Sequence, residues 1–103
     1  VTAEKKAMGF YVDGRVSAIF GTHTHTQTND NQILPNGTGY ITDIGMTGPY
    51  YSVLGVAVEP AIQKLKTGLP TRFNEDGVCV LEGCLFDIDE KSGKTVNTKL
   101  IRR

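Results

Sequence analysis

Val16-Ser17-Ala18-Ile19-Phe20-Gly21-Thr22-His23-Thr24-His25 is the stretch on which the architecture turns. Val16 to Phe20 is an apolar run broken by a single serine, the pattern of a short strand covered on both faces. Gly21 closes it. The eleven residues from Thr22 to Gln32 hold both histidines of the chain and four threonines but no aliphatic side chain, so they read as a loop leaving the strand's end. Upstream, Ala3, Ala7, Phe10 and Tyr11 recur at helical spacing, with Glu4, Lys5 and Lys6 on other faces. Thr2 is placed to cap that helix, Glu4 suits its dipole, and Asp13-Gly14 is a stop signal. A helix feeding a buried strand predicts a layered α/β fold.

Downstream the same logic applies. Ile33-Leu34 resumes apolar character, Pro35-Asn36-Gly37 is a tight turn, and Tyr40, Ile41 and Ile44 predict a second core strand ending at Gly45. Gly45-Met46-Thr47-Gly48-Pro49-Tyr50-Tyr51 reads as a glycine-rich loop, and residues 59–66 carry Ala61, Ile62 and Leu65 on one helical stripe that Gly68 stops. Thr71 to Phe73, Val78 to Ile88 and Thr95 to Ile101 read as antiparallel strands, with Asp76-Gly77 and Lys91-Ser92-Gly93-Lys94 as turns. No internal repeat interrupts the pattern.

Composition narrows the classes of function. The 103 residues carry 11 basic and 11 acidic side chains for a net charge of zero, so no general field draws DNA or an anionic membrane to the chain. The length is that of a single domain over residues 1–103, burying roughly 65% of the surface of the unfolded chain. The apolar runs fall far short of the ~20 residues that cross a bilayer. With no leader at the start, a cytoplasmic location is expected, and two cysteines read as reduced thiols rather than as a disulfide framework. A chain opening on Val1 directly in an amphipathic pattern is expected to be part of a larger protein.

The chemistry concentrates at His23 and His25. Histidines two apart in extended backbone point to the same side and reach one metal ion or two adjacent ones, and ligands of open α/β sheets bind beyond the carboxyl ends of the strands. The same pair is equally at home as exposed polar sequence, and two imidazoles alone do not complete a hydrolytic site. Asp30 and Asp43 are possible third ligands, but both read more readily as turn residues.

Taken together, Gly21-Thr22-His23-Thr24-His25-Thr26-Gln27-Thr28, Ile33-Leu34-Pro35-Asn36-Gly37-Thr38 and Tyr40-Ile41-Thr42-Asp43-Ile44-Gly45-Met46-Thr47-Gly48-Pro49-Tyr50 resemble the carboxy-terminal part of the YmdB-like bacterial metallophosphoesterases of the calcineurin-like superfamily. Glu4 to Gly9, Asp13 to Ala18 and Asp87-Ile88-Asp89 fit the same resemblance, which spans nearly the whole chain. It implies an α/β fold that is part of a four-layer α/β/β/α sandwich with a mixed sheet. It also implies a dinuclear centre of two divalent metal ions, iron or manganese, hydrolysing a small phosphodiester such as a cyclic nucleotide. His23 and His25 match the family's closing pair of histidine ligands, and Thr24 and Thr26 are expected to line the substrate entrance. The family's amino-terminal aspartate, glutamate and Asn-His motifs, the last carrying its proton donor, have no counterpart here. No catalytic residue is therefore expected in these 103 residues; the missing amino-terminal half is the expected partner, within a homo-oligomer.

The remaining signals are weaker. Ser92-Gly93-Lys94-Thr95 mimics the tail of a phosphate-binding loop, but Ile88 stands where that loop needs glycine, so a hairpin turn is preferred. Asn36-Gly37-Thr38 is a glycosylation pattern that matters only in a secreted chain. Cys79 and Cys84 sit at odd separation in one strand pattern and are expected to be buried structural thiols, with a two-cysteine, two-histidine zinc module as the alternative. The loop from Gly45 to Tyr51 either presents backbone N–H groups to a phosphate or simply connects two elements. Besides the enzyme, a non-catalytic binding or assembly domain is the other reading.

Overall fold

The computed structural model describes residues 1–50, 58–68 and 78–103. Its elements are α1 (Thr2–Val12), β1 (Ala18–Phe20), β2 (Gln32–Ile33), β3 (Gly39–Ile41), β4 (Thr47–Pro49), α2 (Val58–Thr67), β5 (Cys79–Ile88) and β6 (Thr95–Arg102). The predicted strand at Thr71 to Phe73 and the turn at Asp76-Gly77 lie outside the described residues.

Among the described residues two three-stranded sheets form. In the first, β3 lies between β1 and β2, parallel to β1 and antiparallel to β2, so the sheet is mixed as expected. In the second, β5 is central between β4 and β6, all antiparallel. The layers follow from alternation along β3, whose three residues are all buried. Tyr40 points toward α1: a Cβ on Gly9, the one buried residue of that helix, would lie 2.8 Å from the Tyr40 ring. Gly39 points the opposite way, where a Cβ would meet Phe86 of β5 at 2.5 Å and Thr95 of β6 at 2.7 Å. The order is therefore α1, first sheet, second sheet. The Thr95 hydroxyl, 3% exposed, ties the layers by donating to the Ser17 carbonyl at 2.7 Å.

Several sequence expectations are corrected. Thr2 does not cap α1; the helix begins after Val1 with no side-chain cap. Its buried face runs through Lys5, Gly9 and Val12, whereas Phe10 and Tyr11 are exposed. The reason is distance: α1 lies so close to Tyr40 that only a residue without Cβ fits at the contact, and the larger apolar residues are turned away from it. On α2, Ala61 is buried but Leu65 of the same predicted stripe is exposed; Gly68 ends the helix, as expected, at φ 73° with its N–H on the Lys64 carbonyl. The second core strand is shorter than predicted, ending at Ile41, because Thr42 and Asp43 turn their backbone groups to the loop partners described below. Part of the glycine-rich loop from Gly45 is strand β4, paired with Cys79–Leu81.

The cysteines also differ from expectation. They form no disulfide, but Cys79 is exposed and Cys84 half-buried; side chains alternate along β5, and where Val80 is buried its neighbours Cys79 and Leu81 face outward. The Lys91–Lys94 turn holds: the Asp89 carboxylate accepts from the Ser92 hydroxyl at 2.7 Å and from the Ser92 N–H at 3.2 Å, and the Ser92 hydroxyl chiefly holds its carboxyl below the ordinary range. Among the described residues no helix is long and apolar enough to cross a membrane.

Candidate functional site

Because β1 and β3 are parallel, their carboxyl ends open on the same edge of the sheet. Phe20 leads to the His-x-His loop and Ile41 leads to Asp43, so the two segments meet there. Gly21 closes the junction: its N–H donates to the Ile41 carbonyl at 3.1 Å, its carbonyl accepts from Ile44 N–H at 3.0 Å, and a Cβ there would strike the Thr42 carbonyl.

Asp43 is fully buried and anchors the loop. Its Oδ2 accepts from the Thr24 N–H at 2.9 Å and from the Thr24 hydroxyl at 2.7 Å, while Oδ1 accepts from the Gly45 N–H at 2.9 Å. The Lys5 ammonium of α1 stands 3.6 Å from Oδ2 and donates to the Thr22 carbonyl at 2.6 Å. Burial by itself raises the Asp43 carboxyl, yet the Thr24 hydroxyl, the Gly45 and Thr24 N–H groups and the Lys5 charge outweigh it and hold the group below its ordinary value of 3.8. A turn role thus understates Asp43: it fixes the residue between the two histidines.

A second carboxylate works the same way on Thr42. Asp30 accepts from the Thr28 hydroxyl at 2.7 Å, from the Thr42 N–H at 3.1 Å and from the Thr42 hydroxyl. With its only hydrogen given to Asp30, the Thr42 oxygen is left to accept from the Tyr40 hydroxyl, 2.9 Å away. Burial again opposes ionisation at Asp30 and the donation from Thr42 and Thr28 outweighs it, so this carboxyl too stays below its ordinary range.

His23 and His25 do not lie in extended backbone. Their φ angles are +103° and +62°, a region that non-glycine residues enter rarely and that clusters at functional sites. The shared direction inferred from extended spacing therefore does not apply, and what relates the two rings is the bent loop pinned at Thr24. His23 is exposed and His25 half-buried. Thr26 turns its N–H to the Thr24 hydroxyl at 3.2 Å. Gln27, which no motif singled out, donates its amide to the Gly83 and Ile101 carbonyls at 2.8 and 3.0 Å and so moors the loop to the second sheet.

Asp30 and Asp43 are each engaged by three of these donors, and Cys79 and Cys84 stay on β5. Among the described residues no group of three or more histidines, cysteines, aspartates or glutamates is placed to hold a metal ion, so the zinc module is not assembled. The signal that could have found Asp43 was positional: it stands two residues beyond one parallel strand while His23 stands three beyond the other.

Two sheets among the described residues, one of them mixed, with this loop at the carboxyl edge of parallel strands, make an α/β fold of the metallophosphoesterase type. A phosphatase from Mycoplasma pneumoniae superposes with a TM-score of 0.89 at 39% identity, over 100% of this chain and 37% of that one. A hypothetical protein from Thermus thermophilus does so with a TM-score of 0.88 at 38% identity, over 100% and 40%. The chain belongs to the YmdB-like protein family, whose model matches residues 1–101. It is 54% identical over 101 residues, 97% of its length, to the 2',3'-cyclic-nucleotide 2'-phosphodiesterase of Bacillus subtilis (strain 168), of which it covers 38%. The chain thus spans about two fifths of the length of the curated relatives it matches.

Proposed function

We propose that this chain is the carboxy-terminal part of a metal-dependent phosphodiesterase and that His23 and His25 are two of its metal ligands. The observation that carries the reading is the loop from Gly21 to Gln27, held at the carboxyl edge of two parallel strands by the buried Asp43 carboxylate. Imidazole nitrogens suit iron as well as zinc, whereas manganese calls for more oxygen donors, so the donor set fits a dinuclear centre in part, with the remaining ligands and the proton donor coming from the rest of the protein. When bound, two such ions supply Lewis acidity that activates water and offsets charge on the phosphoryl oxygens. This chain's own share is positional. Asp43 fixes Thr24, Thr24 fixes the spacing of the imidazoles, Lys5 holds the Thr22 carbonyl, and Gln27 stops the loop from swinging off the second sheet. Thr24 and Thr26 are the nearest candidates to line the substrate entrance, with the Thr24 hydroxyl already shared with Asp43.

The substrate class is a small phosphodiester, with a cyclic nucleotide as the specific proposal from the named Bacillus subtilis relative. Exposed apolar residues on α1 and β1, including Phe10 and Phe20 at 59% each, support a larger parent domain, since burying each stabilises by roughly 1.5–3 kcal/mol. The test is metal analysis and hydrolysis of bis-p-nitrophenyl phosphate by the intact protein, beside His23→Ala and His25→Ala. Metal content and turnover should both fall at least about tenfold in each variant, and the 103-residue chain alone should turn over nothing. Unchanged stoichiometry and rate in both variants would sink the assignment.

A further inference from the structure

A recess of about 280 Å³ opens beside the histidine loop, and His25, Thr26, Met46, Tyr50, Glu82 and Arg102 are among the residues lining it. It joins the two sheets: His25 and Thr26 come from the loop after β1, Tyr50 follows β4, Glu82 lies on β5 and Arg102 on β6. The walls are fixed. Gln27, next to Thr26, is bonded to Gly83 and Ile101, and Glu82 accepts from the Met46 N–H at 3.2 Å. Glu82 also stands 3.6 Å from Arg102 Nε, while the Arg102 guanidinium lies over the Tyr50 ring, 5.6 Å from its centroid. Both members of that stacked pair reach solvent, Tyr50 being 50% exposed and the Arg102 side chain 59%.

We propose that this recess seats the base of a nucleotide, which stacks on the Tyr50–Arg102 pair while its phosphate lies toward His25. The orientation rests on the phosphodiesterase reading; the stacking does not. A bare anion would need the guanidinium but has no use for the ring beside it, whereas a planar heterocycle gains from both, since bases stack on aromatic rings and on guanidinium planes. Glu82 contributes by restraining the guanidinium at its Nε end, and Gln27 by keeping His25 at a constant distance from the stack.

The experiment is titration calorimetry on the intact, chelator-treated protein with two probes, adenosine 3′-monophosphate and inorganic phosphate. Tyr50→Ala should weaken the nucleotide roughly 5- to 150-fold, the loss expected for one base stack, and leave phosphate unchanged, while Tyr50→Phe should stay within about twofold of the parent. Arg102→Gln should weaken the nucleotide as well. Parent protein that does not bind the nucleotide, equal affinity in parent and Tyr50→Ala, or an equal loss for both probes would overturn the inference. Hydrolysis of bis-p-nitrophenyl phosphate by the metal-loaded parent reports separately on the phosphodiesterase reading, so either idea can fail without the other.

Discussion

Replacing Asp43 by asparagine tests the anchoring of the histidine loop most directly. The side chain is fully buried and serves three donors, two from Thr24 on one oxygen and one from Gly45 on the other. An amide of the same shape keeps one accepting oxygen, so it satisfies either the Thr24 pair or Gly45 and presents N–H to whatever remains. Hydrogen bonds to a charged acceptor are worth about 1.5–3 kcal/mol each. At least one is lost outright and the others become neutral, while the Lys5 contact, part-exposed at 3.6 Å, adds at most about 1 kcal/mol. The expected destabilisation is about 2–4 kcal/mol. Urea unfolding of the intact, metal-free protein should read it, together with Thr24→Val and the double variant. Because the Thr24 hydroxyl and the Asp43 carboxylate are partners, the double variant should cost about 0.5–3 kcal/mol less than the sum of the singles. The unusual φ at His23, +103°, is sustained by that anchor at a cost of order 1–3 kcal/mol, so the loop should relax in Asp43→Asn and metal affinity should drop as well. A change within about 0.5 kcal/mol, or strict additivity with Thr24→Val, would refute the anchor.

Gly21→Ala should be among the most damaging substitutions in the chain, since the new Cβ meets the Thr42 carbonyl, which is backbone, and such overpacking costs about 1–3 kcal/mol or more; urea unfolding beside Gly83→Ala, where a Cβ would meet nothing within 4 Å among the described residues, is the check. Acid should weaken the fold in a defined sense. Asp30 and Asp43 titrate below their ordinary value of 3.8 in the native state, so the unfolded chain binds more protons there and the stability they contribute, complete above about pH 5, is lost as pH falls through their native values. Urea midpoints measured from about pH 6 to about pH 3 should decline in the parent and decline less in Asp43→Asn.

Much of the fold was legible in local pattern. The helix before a short apolar run, the stop at Asp13-Gly14, the strands Cys79–Ile88 and Thr95–Arg102 and the turn at Lys91–Lys94 depend on periodicity and turn chemistry carried within a few residues, and the histidine loop announced itself by composition. The same local rules misplaced the buried face of α1, because amphipathic spacing ranks residues by hydrophobicity, whereas the close contact with Tyr40 selects by size and only Gly9 fits. They misjudged Cys79 too, since a nearly continuous apolar run does not say which face of the strand is left uncovered, and there Val80 is buried while Cys79 and Leu81 face outward.

At the site the division is sharper. Sequence alone supplied His23 and His25 as candidate metal ligands, because the donor chemistry of a side chain is a property of the residue itself. Only the tertiary structure decided that the backbone there is bent rather than extended, that Asp43 holds the histidine loop as well as turning the chain at Gly45, and that Arg102 and Tyr50 come to stand beside His25. Those facts depend on parallel pairing of β1 with β3 and on the stacking of two sheets. They bring together residues as far apart as Thr24 and Asp43, 19 positions, or Ser17 and Thr95, 78 positions, separations over which no local periodicity carries information.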